Sequence, residues 1–130
     1  ELVRECAPII KAVKFDAATI AAELKRWNAM PEVDAILVDG SAGGQGESFD
    51  WAALAQVRDR ENIETPLIIA GGLNAANVGD AIRAVRPWGV DVSSGVEAIG
   101  EDGRARKGVK DPSRIAAFIE EVRNADVRPA

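Results

Sequence analysis

Two segments of the chain end in the same way. Ile68-Ile69-Ala70 runs into Gly71-Gly72-Leu73-Asn74, and Gly89-Val90-Asp91-Val92 runs into Ser93-Ser94-Gly95-Val96-Glu97. Each is a short apolar run that gives way to glycine or serine just before helix-forming sequence. That junction leaves bare backbone N–H groups where a phosphate can sit. Two such junctions in succession fit the end of a (β/α) barrel, where the loops after the last two strands and the N-terminus of a short extra helix commonly hold a phosphate. The sequence therefore points to chemistry on a phosphorylated small molecule.

The rest of the chain repeats the same unit. Ile9 to Lys14 reads as a strand, followed by Asp16 as N-cap and a helix to about Met30 with Ile20, Leu24 and Trp27 on one face. Ala35 to Val38 is the next strand, then a glycine-rich loop and a helix from about Asp50 carrying Trp51, Leu54 and Val57. Pro66 to Ala70 is the third; Asn74 caps a helix with Val78, Ile82 and Val85, which Pro87 stops. Val90 to Ser93 is the fourth, and Asp111 with Pro112 opens a last helix whose buried side is expected to be Ile115, Phe118, Ile119 and Val122. The polar run Gly100 to Lys107 reads as a mobile loop, and residues 124–130 as a frayed tail.

Near-continuous apolar strands, each returned by a helix, need a parallel sheet covered by those helices. The expected fold is α/β, one domain over residues 1–130: a parallel (β/α) barrel, of which the four βα units correspond to the second half of a TIM barrel. A complete barrel takes ~200 residues or more. Four strands alone would leave two unpaired edges and an open inner face. The other four are expected from a missing N-terminal half or from a second copy of the chain, unless the fold flattens into an open sheet. The opening at Glu1, in what reads as the last turns of a helix, fits a fragment of something longer.

Composition narrows the chemistry. A net charge of −5, with basic residues scattered along helical segments, argues against nucleic acid and anionic membrane surfaces as partners. No apolar run approaches the ~20 residues of a membrane span, so the chain reads as cytoplasmic. One cysteine and no histidine exclude an internal disulfide and a thiolate cluster, remove the commonest metal ligand, and leave proton transfer to carboxylates, thiol or lysine. Cys6 precedes its strand, at the face that serves stability.

Asp39 closes the second strand at the rim where barrel enzymes keep their catalytic groups. A partly desolvated carboxylate there suits a general acid, or it caps its own loop. Asp91, between Val90 and Val92, points to the opposite side from both, either into the barrel mouth or onto a structural donor. Gly71, Gly72, Ser94 and Gly95 are the phosphate-binding candidates, with tight turns as the alternative. The Gly43 to Gly46 loop could fold over a ligand or merely connect, and Trp27, Trp51 and Trp88 are expected to pack rather than stack on a ligand.

Several motifs in order carry a family resemblance. Leu37-Val38-Asp39, Gly43-Gly44-Gln45-Gly46 with Phe49-Asp50-Trp51, Ala70-Gly71-Gly72-Leu73-Asn74, Val90 through Glu97 and Gly108-Val109-Lys110-Asp111 together resemble the C-terminal half of the phosphoribosylanthranilate isomerases of tryptophan biosynthesis. The resemblance implies a (β/α) barrel isomerase that converts phosphoribosylanthranilate by an Amadori rearrangement without metal or cofactor. It makes Asp39 the general acid that protonates the furanose ring oxygen, Asp91 a substrate-binding carboxylate, and Gly71, Gly72, Ser94 and Gly95 the phosphate loops. Gly40 and Gln45 stand where the family more often has a hydroxyl residue, and the Gly100 to Lys107 segment is longer than usual. The family's general base is a cysteine on the first barrel strand, and a substrate-binding arginine follows the second; neither segment is among these residues. The resemblance thus implies an isolated chain with little or no activity. The alternative is a non-catalytic phosphate-binding half-barrel that pairs with a second copy.

Overall fold

The computed structural model describes residues 8–41 and 49–127. Cys6 and the Gly43 to Gly46 loop lie outside the described residues. Strands β1 (Ile10–Lys14), β2 (Ala35–Asp39), β3 (Leu67–Ala70) and β4 (Gly89–Val90) hydrogen-bond in chain order as one parallel sheet. Helices α1 (Ile20–Asn28), α2 (Trp51–Arg60) and α3 (Val78–Val85) return the chain between them, and α4 (Pro112–Ala125) follows. A two-stranded antiparallel arm, β5 (Glu97–Ile99) and β6 (Ala105–Lys110), stands between β4 and α4. No helix among the described residues is long and apolar enough to cross a membrane.

The parity of the strands divides the sheet into two faces. Val13, Val38 and Ile69 share one register row; Ile36 and Leu67 share another on the same face, and all five enter the core with Ile20, Leu24, Leu54, Val78 and Val85. This is the helix-covered face. Ala12, Leu37 and Ile68 form a row on the opposite face, as do Lys14, Asp39 and Ala70. Asp39 therefore leaves the carboxyl end of the sheet on the side away from the helices.

Local chemistry sets the element boundaries, and several differ from expectation. Asp16 heads a lead-in turn, its Oδ1 accepting from Ala18 N at 2.8 Å, so α1 begins one turn later at Ile20. Asn74 does the same for α3, which starts at Val78. α2 begins where expected, with Asp50 as its cap accepting from Ala53 N at 3.0 Å. Arg86, in the left-handed region with φ 53°, ends α3 ahead of Pro87.

β4 is only Gly89–Val90, because β3 pairs with it at two positions before the chain turns off toward a 3-10 turn at Ser94–Val96. The run read as a mobile loop is instead the turn and outer strand of the β5–β6 arm. α4 extends through Asn124 to the buried Ala125.

Ile115 and Ile119 of α4 are 37% and 43% exposed rather than buried. α4 packs on α3, and no further helix of the described residues covers its other flank. Trp88 is 72% exposed: its backbone N–H joins the ladder at Leu67 O, 2.8 Å, while the ring stands outside the amino end of the sheet.

Candidate active site

The carboxyl ends of β2, β3 and β4 open onto one cavity of about 490 Å³. Asp39, Gly71, Gly72, Asp91, Ser94 and Gly95 all line it, so the topology brings together every site residue expected from sequence. Ser41, Leu73, Glu97, Ala105 and Lys107 complete much of the wall.

Asp39 is held from three directions. Its carbonyl accepts from Phe15 N at 2.9 Å, the next residue's N–H donates to Ala70 O at 2.9 Å, and its Oδ1 accepts from Ser41 N at 2.8 Å and Ser41 Oγ at 2.6 Å. The carboxylate thus caps its own loop with one oxygen and lines the cavity as well. Oδ2 has no hydrogen-bond partner among the described residues. Asp91 is exposed in the same cavity, its backbone N–H joined to Ile69 O at 2.8 Å.

The glycines fit because backbone approaches backbone. Gly71 has φ +90°, and a Cβ there would lie 2.5 Å from both Asp39 Oδ1 and Ser41 N. A Cβ on Gly95 would meet Leu73 O at 1.9 Å, so the turn after β4 presses on the turn after β3. The two turns consequently form one surface. Among the described residues, the backbone N–H groups of Gly71, Gly72, Ser94 and Gly95 donate to no protein acceptor. Four unspent donors at the wall of one cavity are the means by which backbone holds an oxyanion.

Carbonyls nearby are tied down by side chains to which the sequence assigned no role of their own. Asn77 Nδ2 donates to Gly72 O at 2.8 Å, Lys110 Nζ to Ser93 O at 2.8 Å, and Arg114 Nη2 to Gly95 O at 3.1 Å. Glu97 is a buried carboxylate, 5% exposed, whose Oε2 accepts the Gly108 N–H. Its signal in the sequence was faint: one acid at the end of a loop, with its partner eleven residues away. Phe49, named in the sequence only as part of a motif, stacks its ring on Phe15 at 4.7 Å and lies where a side chain at Gly40 would be, 1.6 Å from an added Cβ.

A family model for N-(5'-phosphoribosyl)anthranilate isomerase matches residues 1–121. The isomerase of Chromohalobacter salexigens is 43% identical over 120 residues, covering 88% of this chain and 50% of that protein. The crystal structure of the Thermotoga maritima isomerase superposes with a TM-score of 0.72 at 36% identity, over 92% of this chain and 53% of that one. An isomerase structure in complex with reduced 1-(o-carboxyphenylamino)-1-deoxyribulose 5-phosphate gives a TM-score of 0.66 at 35% identity, over 88% of this chain and 48% of that one. The chain spans about half the length of the curated relatives it matches.

Proposed function

Because the chain belongs to the N-(5'-phosphoribosyl)anthranilate isomerase family, we propose that its 130 residues form the phosphate-and-acid half of an isomerase site in tryptophan biosynthesis. The substrate is phosphoribosylanthranilate, and the setting is cytoplasmic. The four βα units are the C-terminal half of a barrel, and an N-terminal half closes it.

The observation that supports this reading is the shared cavity: an anchored carboxylate beside four unspent backbone donors. The N–H groups of Gly71, Gly72, Ser94 and Gly95 receive the phosphoryl oxygens, which fixes the sugar relative to Asp39. Asp39 gives a proton to the furanose ring oxygen as the C1–O bond breaks, and the anthranilate nitrogen takes up the positive charge as an iminium. Loss of the C2 proton to a base then yields an enolamine, which becomes the ketone. That base is the cysteine implied for the covering half. Asp91 lines the substrate pocket. Oδ1 of Asp39 is occupied by Ser41, so Oδ2 is the oxygen that carries the proton.

A second reading draws on the open sheet: β1 and β4 are both free edges among the described residues, and Ile10 on β1 is 53% exposed. Two copies that paired those edges would bury them and bind phosphate. Such a pair lacks the first-strand cysteine that the family resemblance implies as the base, so it binds without turnover.

A crystal of the chain soaked in ribose 5-phosphate tests the site. The expected result is the phosphoryl group on the Gly72, Ser94 and Gly95 amides, with Asp39 on the sugar side of the cavity. A phosphoryl group bound elsewhere, with this cavity empty, overturns the assignment.

A further inference from the structure

We propose that Lys107, on the antiparallel arm β5–β6, is a phosphate-binding residue that supplies the cation to the backbone cradle. The inference rests on the reading of that cradle as a phosphate site. It assigns work to the charged run that the proposed reaction leaves unused.

Strand parity on β6 places Ala105 and Lys107 along the cavity wall, while Arg106 falls on the other side, with its Cγ near Gly100. The arm is fixed before Lys107 by the pairing of Ala105 with Ile99, and again after it. Immediately after it, the Gly108 N–H donates to the buried Glu97 carboxylate, and Gly108 itself adopts φ +81°, which turns the strand at that point. Farther along, Lys110 Nζ grips Ser93 O at 2.8 Å and Asp111 N donates to Val96 O at 2.9 Å. Both contacts bind the arm to the turn that carries Ser94 and Gly95.

Charge supplies the reason for a cation there. The cavity wall carries three carboxylates, Asp39, Asp91 and Glu97, and among the described lining residues Lys107 is the one cation. A phosphate monoester entering on backbone amides alone would meet that negative field. Lys110 is occupied by Ser93 O, whereas Lys107 makes no hydrogen bond or ion pair among the described residues. An exposed ammonium with no protein partner, beside four unspent N–H donors, is placed to form a charge-assisted bond with a phosphoryl oxygen. The ligand class is a sugar phosphate dianion.

The test is a titration of the full chain with inorganic phosphate, followed by amide NMR, on the parent and on Lys107→Gln and Arg106→Gln. Both positions are exposed, so the variant spectra report directly whether the fold is retained. In the parent, phosphate should shift the Gly71, Gly72, Ser94 and Gly95 amides. Lys107→Gln should weaken binding about five- to tenfold, as for a charge-assisted contact at an open rim, and flatten its salt dependence, with Arg106→Gln changing it less than about twofold. Equal losses in the two variants would reduce the effect to general field and overturn the assignment. So would undiminished binding by Lys107→Gln with the cradle amides still shifting, a result that leaves the phosphate site itself standing. A parent that shifts none of the four amides overturns both.

Discussion

At the scale of the residue, the site depends on the absence of side chains as much as on their presence. Gly71 holds φ +90° with its Cα against the Asp39–Ser41 turn, so Gly71→Ala introduces both left-handed strain and a clash with the carboxylate. We expect a loss of about 1–3 kcal/mol, read as a lower urea midpoint. The Asp39 side chain should be displaced in a crystal of the variant. Unchanged stability with Asp39 in place would contradict the close approach. Asp39 and the glycines of the two turns were legible in the sequence because a strand end and a repeated junction mark them without tertiary knowledge. Gly40 was not legible in the same way. Its constraint comes from Phe49, nine positions on, held by a stack on Phe15 from another strand end, and no local pattern encodes that meeting.

At the scale of the element, capping chemistry decides where helices begin, and one cap carries a pH signature. Asp111 accepts from Ser113 Oγ at 2.6 Å and Ser113 N at 2.8 Å at the start of α4. The hydroxyl bond first, and the amide bond next, hold its carboxyl below the usual aspartate value. A folded-state pKa that is depressed stabilises the fold at pH above the unfolded value, and that contribution disappears as pH falls through the folded one. The difference in urea midpoint between the parent and Asp111→Ala should therefore be largest near neutrality. It should shrink in acid, below the ordinary aspartate range. A difference independent of pH would mean that the carboxylate charge is not what caps the helix.

The same caps explain the late starts of α1 and α3, since an aspartate or asparagine four residues ahead heads a turn of its own before the helix proper. The β5–β6 arm escaped the sequence reading for another reason. A run of charges with no large apolar side chain normally has nothing to anchor it, but here the anchor is a buried carboxylate, and glycines at φ +76° and +81° shape the turn and the bend.

At the scale of the whole molecule, the parallel order β1-β2-β3-β4 and its helical cover followed directly from apolar runs alternating with amphipathic ones. What periodicity could not report was which apolar residues stay uncovered. Ile10 on the β1 edge and Ile115 and Ile119 on the outer flank of α4 have the composition of core, yet all three are exposed because no described element packs over them. Burial is a property of the packed body, and the periodicity of a single element does not report it.

Turnover decides whether this chain holds the acid and the phosphate site of an isomerase whose base lies on a covering half, as proposed. Loss of anthranilate fluorescence from phosphoribosylanthranilate would be followed for the chain alone and with an added N-terminal half of the family. Asp39→Asn would be run in parallel in both settings. The chain alone should give no turnover, addition of the N-terminal half should give turnover, and Asp39→Asn should lower it at least about a hundredfold, the scale of a lost general acid. Turnover by the chain alone, or restored turnover that survives Asp39→Asn, would contradict that proposal.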